Sequence, residues 1–323
     1  MIHFFKLIRY KNLLIIAATQ YLMRYCIVWP IIRVNGFELQ LDNLHFFLLV
    51  LSSMLITAAG YVINDYFDTK TDMLNRPSTV LVGKQISRRT AMFIHIMLNI
   101  AGIGLGIYLS VKIGILALGV AYILASGILW FYSTTYKRQF LIGNLIVSIF
   151  TGVVPFVVVL FEVPLLNEAY RDILLEYNIN FNGLFAWVGG FAFFAFLSNL
   201  VREIIKDVED FEGDLAFGRN TLPVILGIKI TKLIIIVLIL SNIFAISYVY
   251  IKYLFYTVNG NYDLITMFYL LLFLIVPFFV LAWIIFKADN KDDYHRASNI
   301  TKIIMLAGIT YSIVVYFIIS NSF

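Results

Sequence analysis

Two short stretches of this chain concentrate carboxylates at a repeating interval. In Asn64-Asp65-Tyr66-Phe67-Asp68-Thr69-Lys70-Thr71-Asp72, the residues Asn64, Asp68 and Asp72 recur every fourth position. On a continuing helix they drift by only about 40° per step and so share one face. Asp65, three residues before Asp68, lies beside that face. In Lys206-Asp207-Val208-Glu209-Asp210-Phe211-Glu212-Gly213-Asp214, the residues Asp207, Asp210 and Asp214 share a helical face in the same way. Solvated helix ends, capped by Asn64 or Asp65, would account for one or two acids in each stretch. They do not account for two rows. Parallel rows of carboxylates on facing helices repel unless cations stand between them. Hard oxygen donors suit Mg²⁺, which takes one or two carboxylates and fills its octahedron with water and substrate phosphate. A diphosphate so held is a good leaving group, because the metal absorbs the charge that develops as the C–O bond breaks. An allylic leaving carbon then gives a stabilised carbocation, with its isoprenoid tail in a nearby apolar tunnel.

The elements that must carry these rows are membrane spans. Of 323 residues, 61% are hydrophobic and 13% charged, about half the charge of a typical soluble domain. The apolar residues fall in runs of about twenty, the length that crosses a bilayer as helix. Lipid offers no partner to an unpaired peptide group, so the spans are helical. We place nine, near 13–34, 44–63, 90–111, 113–131, 141–161, 182–201, 230–251, 264–286 and 300–320. The first is long and lacks a small-residue cleavage site, which marks an uncleaved span and not a signal peptide. Nineteen Lys and Arg fall on the N-terminal tail and on the loops after spans two, four, six and eight with their flanking turns. Four (Arg33, Lys112, Arg171, Lys252) fall on the opposite side, and Arg24 lies inside span one. This asymmetry predicts a cytoplasmic N-terminus and an outer C-terminus. Glu162, Glu168, Asp172 and Glu176 then belong to an outward segment, 162–181. Both acidic stretches follow spans four apart, so both face the cytoplasm. The offset hints at two parallel four-span halves with a ninth helix appended, and no linker marks a second domain in 1–323.

Other chemistries lack their residues. The single cysteine, Cys26, excludes an intramolecular disulfide and a cysteine metal site, and the four histidines are scattered outside any His-Glu-x-x-His frame. The net charge of +5 sits in short loops, as a topology signal and not a nucleic-acid surface. Gly102, Gly104 and Gly106 lie within a span without a preceding strand, and read as close helix packing, not a phosphate loop.

On these residues the chain resembles the UbiA superfamily of intramembrane prenyltransferases. The resemblance covers nearly the whole chain: nine spans, Asn64-Asp65-x-x-Asp68-x-x-x-Asp72, Asn75-Arg76-Pro77, Asp210-x-x-x-Asp214, and Arg9-x-x-Asn12 at the entry to span one. Arg202-Glu203-Ile204-Ile205-Lys206-Asp207, running on to Glu212-Gly213-Asp214 and Thr221-Leu222-Pro223, is similar to a narrower branch. That branch is the geranylgeranylglyceryl-phosphate geranylgeranyltransferases, or digeranylgeranylglyceryl-phosphate synthases. The resemblance implies an all-α polytopic membrane protein with a UbiA-type bundle of nine transmembrane helices. It implies Mg²⁺-dependent transfer of a geranylgeranyl group from its diphosphate to geranylgeranylglyceryl phosphate, among membrane lipids. It implies metal binding by Asn64, Asp65, Asp68, Asp72, Asp207, Asp210 and Asp214. Two departures remove positive charge that would face the diphosphate or an anionic acceptor: Thr69, where many relatives carry Arg, and Thr79-Val80, where many carry a second Arg-Pro.

Among supporting residues, Lys137 reads either as a positive-inside anchor or as a diphosphate ligand, and the family pattern favours the second. Arg76 is read alike. Arg202 and Lys206 either bind phosphate or pair with neighbouring acids, and Arg219 joins them as a candidate for an acceptor's phosphate. Asn12 and Asn144 are polar groups near span starts, with interhelical hydrogen bonding as their ordinary role; the family pattern adds Asn12 to the substrate site. Tyr61, Tyr66 and Tyr132 are aromatic faces suited to a carbocation. Arg24 reads as snorkelling or pairing with a polar group. Two other functions stay open at this point. An aromatic acceptor, as in quinone synthesis, would use the same donor site. A transporter would use the acids as a path, although transporters place theirs near the midplane.

Overall fold

Apolar runs become helices here because a helix satisfies its own peptide groups in lipid. The structure, a computed structural model, describes residues 2–75, 77–78, 80–256 and 260–321. Among them nine helices are long and apolar enough to cross a membrane: Tyr10–Val34, Asn43–Asn75, Arg88–Lys112, Leu116–Thr134, Ile142–Ala169, Asn182–Glu209, Ile228–Leu254, Leu264–Lys287 and Lys291–Ser320. The expected all-α class and the nine spans are present, and the chain is a multi-pass membrane protein.

The helices run further than the apolar stretches. Span two is 33 residues long, about 50 Å of helix against a hydrocarbon core of about 30 Å. Its last turns therefore project beyond the lipid and carry the first acidic row as unbroken helix, where the sequence pattern predicts a loop after residue 63. Span six likewise continues to Glu209 and ends at Asp210, where the backbone leaves helical geometry (φ −97°, ψ 10°). A separate short helix, Phe211–Ala216, follows. The second acidic row is thus broken at Asp210, with Asp207 on one helix and Asp214 on the next, and is not carried on one continuous face.

Span two packs against spans one, three and four, and span six against spans five, seven and nine. The groups meet where span one contacts spans five and nine, and where the Phe211–Ala216 helix crosses span two. A buried cluster of Leu7, Ile8, Leu13, Ala58, Val62, Val82 and Ala91 fixes the end of span two that bears the acids. Within the membrane, Gly102 lies against Ile56 and accepts a 2.7 Å hydrogen bond from Ser52 on its carbonyl. Gly106 lies under the Tyr122 ring, whereas Gly104 faces open space.

Span five extends to Ala169, so Glu162 lies within a span and not in an outer segment. It is 1% exposed, and so is Arg24, whose guanidinium lies 3.3 Å from it. Glu162 also accepts from the backbone N–H of Gln40 (2.6 Å) and Leu41 (3.2 Å), and Arg24 donates to the Leu41 carbonyl. One carboxylate therefore ties the π-helical segment Met23–Val28 and the loop after span one to span five. Arg24 pairs and does not snorkel. Breaking one partner of such a buried pair costs about 3–5 kcal/mol.

Candidate active site

The first row sits on the projecting end of span two, and its members have different partners. Asp65 pairs with Arg9 at 2.7 Å. Asp68 pairs with Lys137 at 2.7 Å and with Arg219 at 2.5 Å. Asn64 Oδ1 accepts from Lys137 at 3.2 Å. Among the described residues Asp72 makes no hydrogen bond or ion pair, and its neighbouring charges are Asp68, Asp65, Arg9 and Asp210. On the second row, Asp207 accepts from Asn144 at 2.8 Å, Asp210 ends span six, and Asp214 pairs with Arg219 at 3.2 Å. Arg219 thus holds one acid of each row. Its guanidinium also donates to Thr71 Oγ1 at 2.9 Å.

Local backbone geometry delivers these cations. Lys137 sits on a single 3₁₀ turn, Tyr136–Arg138, folded back over the start of span five. Leu141 takes a left-handed conformation (φ 59°) there, and a Cβ at Gly143 would lie 2.7 Å from Lys137 Cα; glycine permits the approach. The Asn220 N–H donates to the Arg138 carbonyl at 2.8 Å, joining the Lys137 turn to the Arg219 loop. On the facing side, a Cβ added at Gly213 would collide with the Asn75 carboxamide. Gly213 therefore lets the helix bearing Asp214 close onto the end of span two.

Electrostatics follow from burial. Burial pulls the Lys137 ammonium below its ordinary value, opposed by Asp68. Burial disfavours the Arg219 charge, but Asp68 and Asp214 outweigh it and hold its pKa above the usual value. Burial pushes Asp214 up to about 6; Arg219 opposes this and Asp210 adds to it. Among the described residues, Arg9, Lys137 and Arg219 make the ion pairs with Asp65, Asp68 and Asp214. No three acids or histidines among them converge tightly enough to enclose an ion. The carboxylate oxygens of Asp68 and Asp214, presented from facing helices, are a donor set that fits Mg²⁺, which binds through one or two carboxylates and takes its remaining oxygens from phosphate and water.

The sequence-derived residues separate accordingly. Asn64, Asp65, Asp68, Asp72, Asp210, Asp214 and Lys137 gather around the gap between spans two and six. Asp207 turns toward span five, and Asn144 supplies its interhelical bond. Tyr132 adjoins Asp68, Glu203 and Asp207, and Tyr61 lies under Arg9 (4.9 Å) and accepts from Asn12 (3.4 Å). Tyr66 does not join them: it packs under Arg88 at 4.1 Å, beside Met92 and Phe93. Arg202 and Lys206 pair with Glu203 at 3.2 and 3.0 Å. Arg219 stands between the two acidic rows. Arg76 and Thr79 lie outside the described residues. Glu203 and Lys302 were not singled out from sequence, since an acid amid bases and a lone Lys in a span resemble ordinary surface and flank charges.

The UbiA prenyltransferase family profile matches residues 36–307. The chain belongs to the UbiA prenyltransferase family. Membership makes it an enzyme that transfers a prenyl group. A digeranylgeranylglyceryl phosphate synthase of Methanosphaera stadtmanae is 30% identical over 263 residues, 80% of this chain and 84% of that protein. The same UbiA fold appears in a solved structure concerning digeranylgeranylglyceryl phosphate synthase in membranes, with a TM-score of 0.61 at 24% identity, covering 96% and 98% of the two chains. A UbiA homolog from Archaeoglobus fulgidus bound to DMAPP and Mg²⁺ superposes with a TM-score of 0.56 at 17% identity, covering 96% and 99%.

Proposed function

We propose that the chain, acting as a single unit over 1–323, transfers a geranylgeranyl group from its diphosphate to geranylgeranylglyceryl phosphate in the presence of Mg²⁺. The observation that carries the donor half is the gap between Asp68 and Asp214, one guanidinium wide and edged by acids on both sides. The A. fulgidus homolog bound to DMAPP and Mg²⁺ supports a prenyl diphosphate and Mg²⁺ as ligands here. Asp68, Asp72, Asp210 and Asp214 are the residues that hold the metal, with Asn64, Asp65 and Asp207 at the edges of the rows. A bound Mg²⁺ would supply positive charge against that of the leaving diphosphate.

The protein's own groups do the rest. Lys137 and Arg219 are positioned to turn from Asp68 toward phosphate oxygens, as charge-assisted donors. Tyr61 and Tyr132 offer aromatic faces to the allylic carbon. The acceptor hydroxyl forms the new ether bond as diphosphate leaves with the bonding electrons, and the hydroxyl proton passes to solvent. The synthase from M. stadtmanae supports the glyceryl-phosphate acceptor over an aromatic one. The site lies at the cytoplasmic ends of spans two and six, with the N-terminus cytoplasmic and the C-terminus outside, as the Lys and Arg distribution supports.

Purified protein in detergent, given geranylgeranyl diphosphate and Mg²⁺, should prenylate geranylgeranylglyceryl phosphate in preference to dihydroxynaphthoate. Asp68→Asn and Asp210→Asn, each removing a charge without changing size, should abolish transfer, as should a chelator. Prenylation of the naphthoate alone would overturn the acceptor and leave the donor reading standing. Turnover by both variants would overturn the metal assignment. A transporter would show no product in detergent, where no gradient exists.

A further inference from the structure

Lys302 lies within the ninth span, eleven residues from its start at Lys291, about 16 Å along the helix. Its ammonium donates to Asn12 Oδ1 at 3.1 Å, and among the described residues no carboxylate lies within ion-pair distance. Its neighbouring charges are Arg202 and Lys11, both positive. Arg202 spends one nitrogen on Glu203 at 3.2 Å, while its buried Nε has no hydrogen-bond partner among the described residues. Lys206 holds both Glu203 oxygens at 3.0 Å. Arg202 and Lys206 thus share the Glu203 carboxylate, and Lys302 stands beside Arg202 with no carboxylate of its own among the described residues. Ionisable groups at membrane depth are costly unless compensated, and are usually functional. Here the missing partner is an anion.

The location selects which anion. Asn12 joins Lys302 to Tyr61, and Tyr61 stands one turn before Asp65 on span two. The basic cluster therefore lies beside the inner end of the first acidic row, separate from Lys137 and Arg219. In a three-carbon glycerol the free hydroxyl is never more than two carbons from the phosphate ester. An acceptor whose hydroxyl reaches the allylic carbon must place its phosphate close to that carbon, yet apart from the donor's diphosphate.

We propose that Lys302 and Arg202, supported by Lys206 and Asn12, bind the phosphomonoester of the acceptor. This rests on the glyceryl-phosphate reading above. Lys302 supplies a point charge, and Arg202 supplies its unpartnered Nε edge. Glu203 keeps Arg202 and Lys206 in place. The cluster makes the enzyme select a phosphorylated lipid alcohol over the same alcohol without phosphate.

The test compares kcat/KM for geranylgeranylglyceryl phosphate with that for dephosphorylated geranylgeranylglycerol, using full-length protein in detergent with Mg²⁺ and geranylgeranyl diphosphate. Lys302→Gln and Arg202→Gln should each lower the phosphate-to-alcohol ratio about tenfold or more, as loss of a hydrogen bond to a charged group does. The change should appear in the acceptor KM, with donor affinity unaltered, and Lys302→Arg should recover most of it. An unchanged ratio with Lys302→Gln, or weakened donor affinity, would overturn the assignment. Thermal stabilisation by glycerol 1-phosphate, read with Mg²⁺ and diphosphate already bound, needs no turnover. Stabilisation of the wild type but not of Lys302→Gln supports the site even if another acceptor proves to be the substrate, whereas an equal response in both proteins overturns it.

Discussion

Arg219 joins the two acidic motifs of the chain through one side chain: Nη2 lies 2.5 Å from Asp68 and Nη1 3.2 Å from Asp214. The planar guanidinium fork suits two carboxylates approaching from different helices, and a lysine ammonium cannot replace both bonds. In the absence of metal this contact offsets repulsion between the rows. Under the proposed assignment a metal ion would compete with the guanidinium for these carboxylates, and a diphosphate would compete with the carboxylates for the guanidinium.

Replacing that fork should therefore have two separable effects. Arg219→Lys is expected to lower kcat about a hundredfold, the scale of losing one preorganised donor to developing charge. Arg219→Gln should also lower the Tm of the Mg²⁺-free protein, because Asp68 and Asp214 then face each other without it. Saturating Mg²⁺ should narrow the Tm difference, since a ligand of the native state stabilises it by mass action. A Tm difference indifferent to Mg²⁺ would count against a shared site.

Acidity supplies a second prediction. Burial raises Asp214 from an ordinary 3.8 to about 6. Metal ligation needs the deprotonated acid, so Mg²⁺ affinity should fall as pH drops through about 6. Stability of the Mg²⁺-free protein should move the other way. A raised carboxylate contributes stability that is fully present below 3.8 and lost as pH rises through about 6. Titration calorimetry and melting curves between pH 5 and 8 would reveal it; Mg²⁺ affinity independent of pH in that window contradicts the placement of Asp214.

Gly213 offers a steric test. Gly213→Ala puts a methyl group into the Asn75 carboxamide, so either that side chain turns out of the contact or the helix carrying Asp214 backs away from span two. We expect a loss of at least about tenfold in kcat/KM, since small misplacements at a reacting centre are amplified. Membrane insertion should be unaffected. Asn75→Ala in the same chain opens the space and should restore part of the activity; full activity of the single variant would show that the close approach is dispensable.

Topology is checked by labelling. In a Cys26→Ser background, cysteines at Ser78 and Asn290 should react with an impermeant maleimide from the cytoplasmic side, and one at Asn167 from the outer side. Reaction of Ser78 and Asn167 from the same side is incompatible with the orientation proposed from Lys and Arg placement.

Much of this was legible before any coordinates. Runs of apolar residues dictate helical spans because lipid cannot solvate peptide groups, and the interval between acids marks a helical face wherever the helix continues. The nine spans and the family follow from such local and periodic information. Pairings across the bundle do not. Nothing near Arg219 in the chain points to Asp68, 151 positions away, nor does Lys302 announce Asn12, 290 positions away. The break at Asp210, the descent of Glu162 into a buried pair with Arg24, and the turning of Tyr66 toward Arg88 are likewise tertiary outcomes. Helix periodicity assigns a residue to a face of its own helix, but packing of the other helices decides what that face meets. Sequence alone determined that this chain crosses the membrane and carries two carboxylate rows. Only the packed bundle decided which cations stand between them, because a charge buried among other helices is stabilised by whichever neighbour the fold brings within about 3 Å.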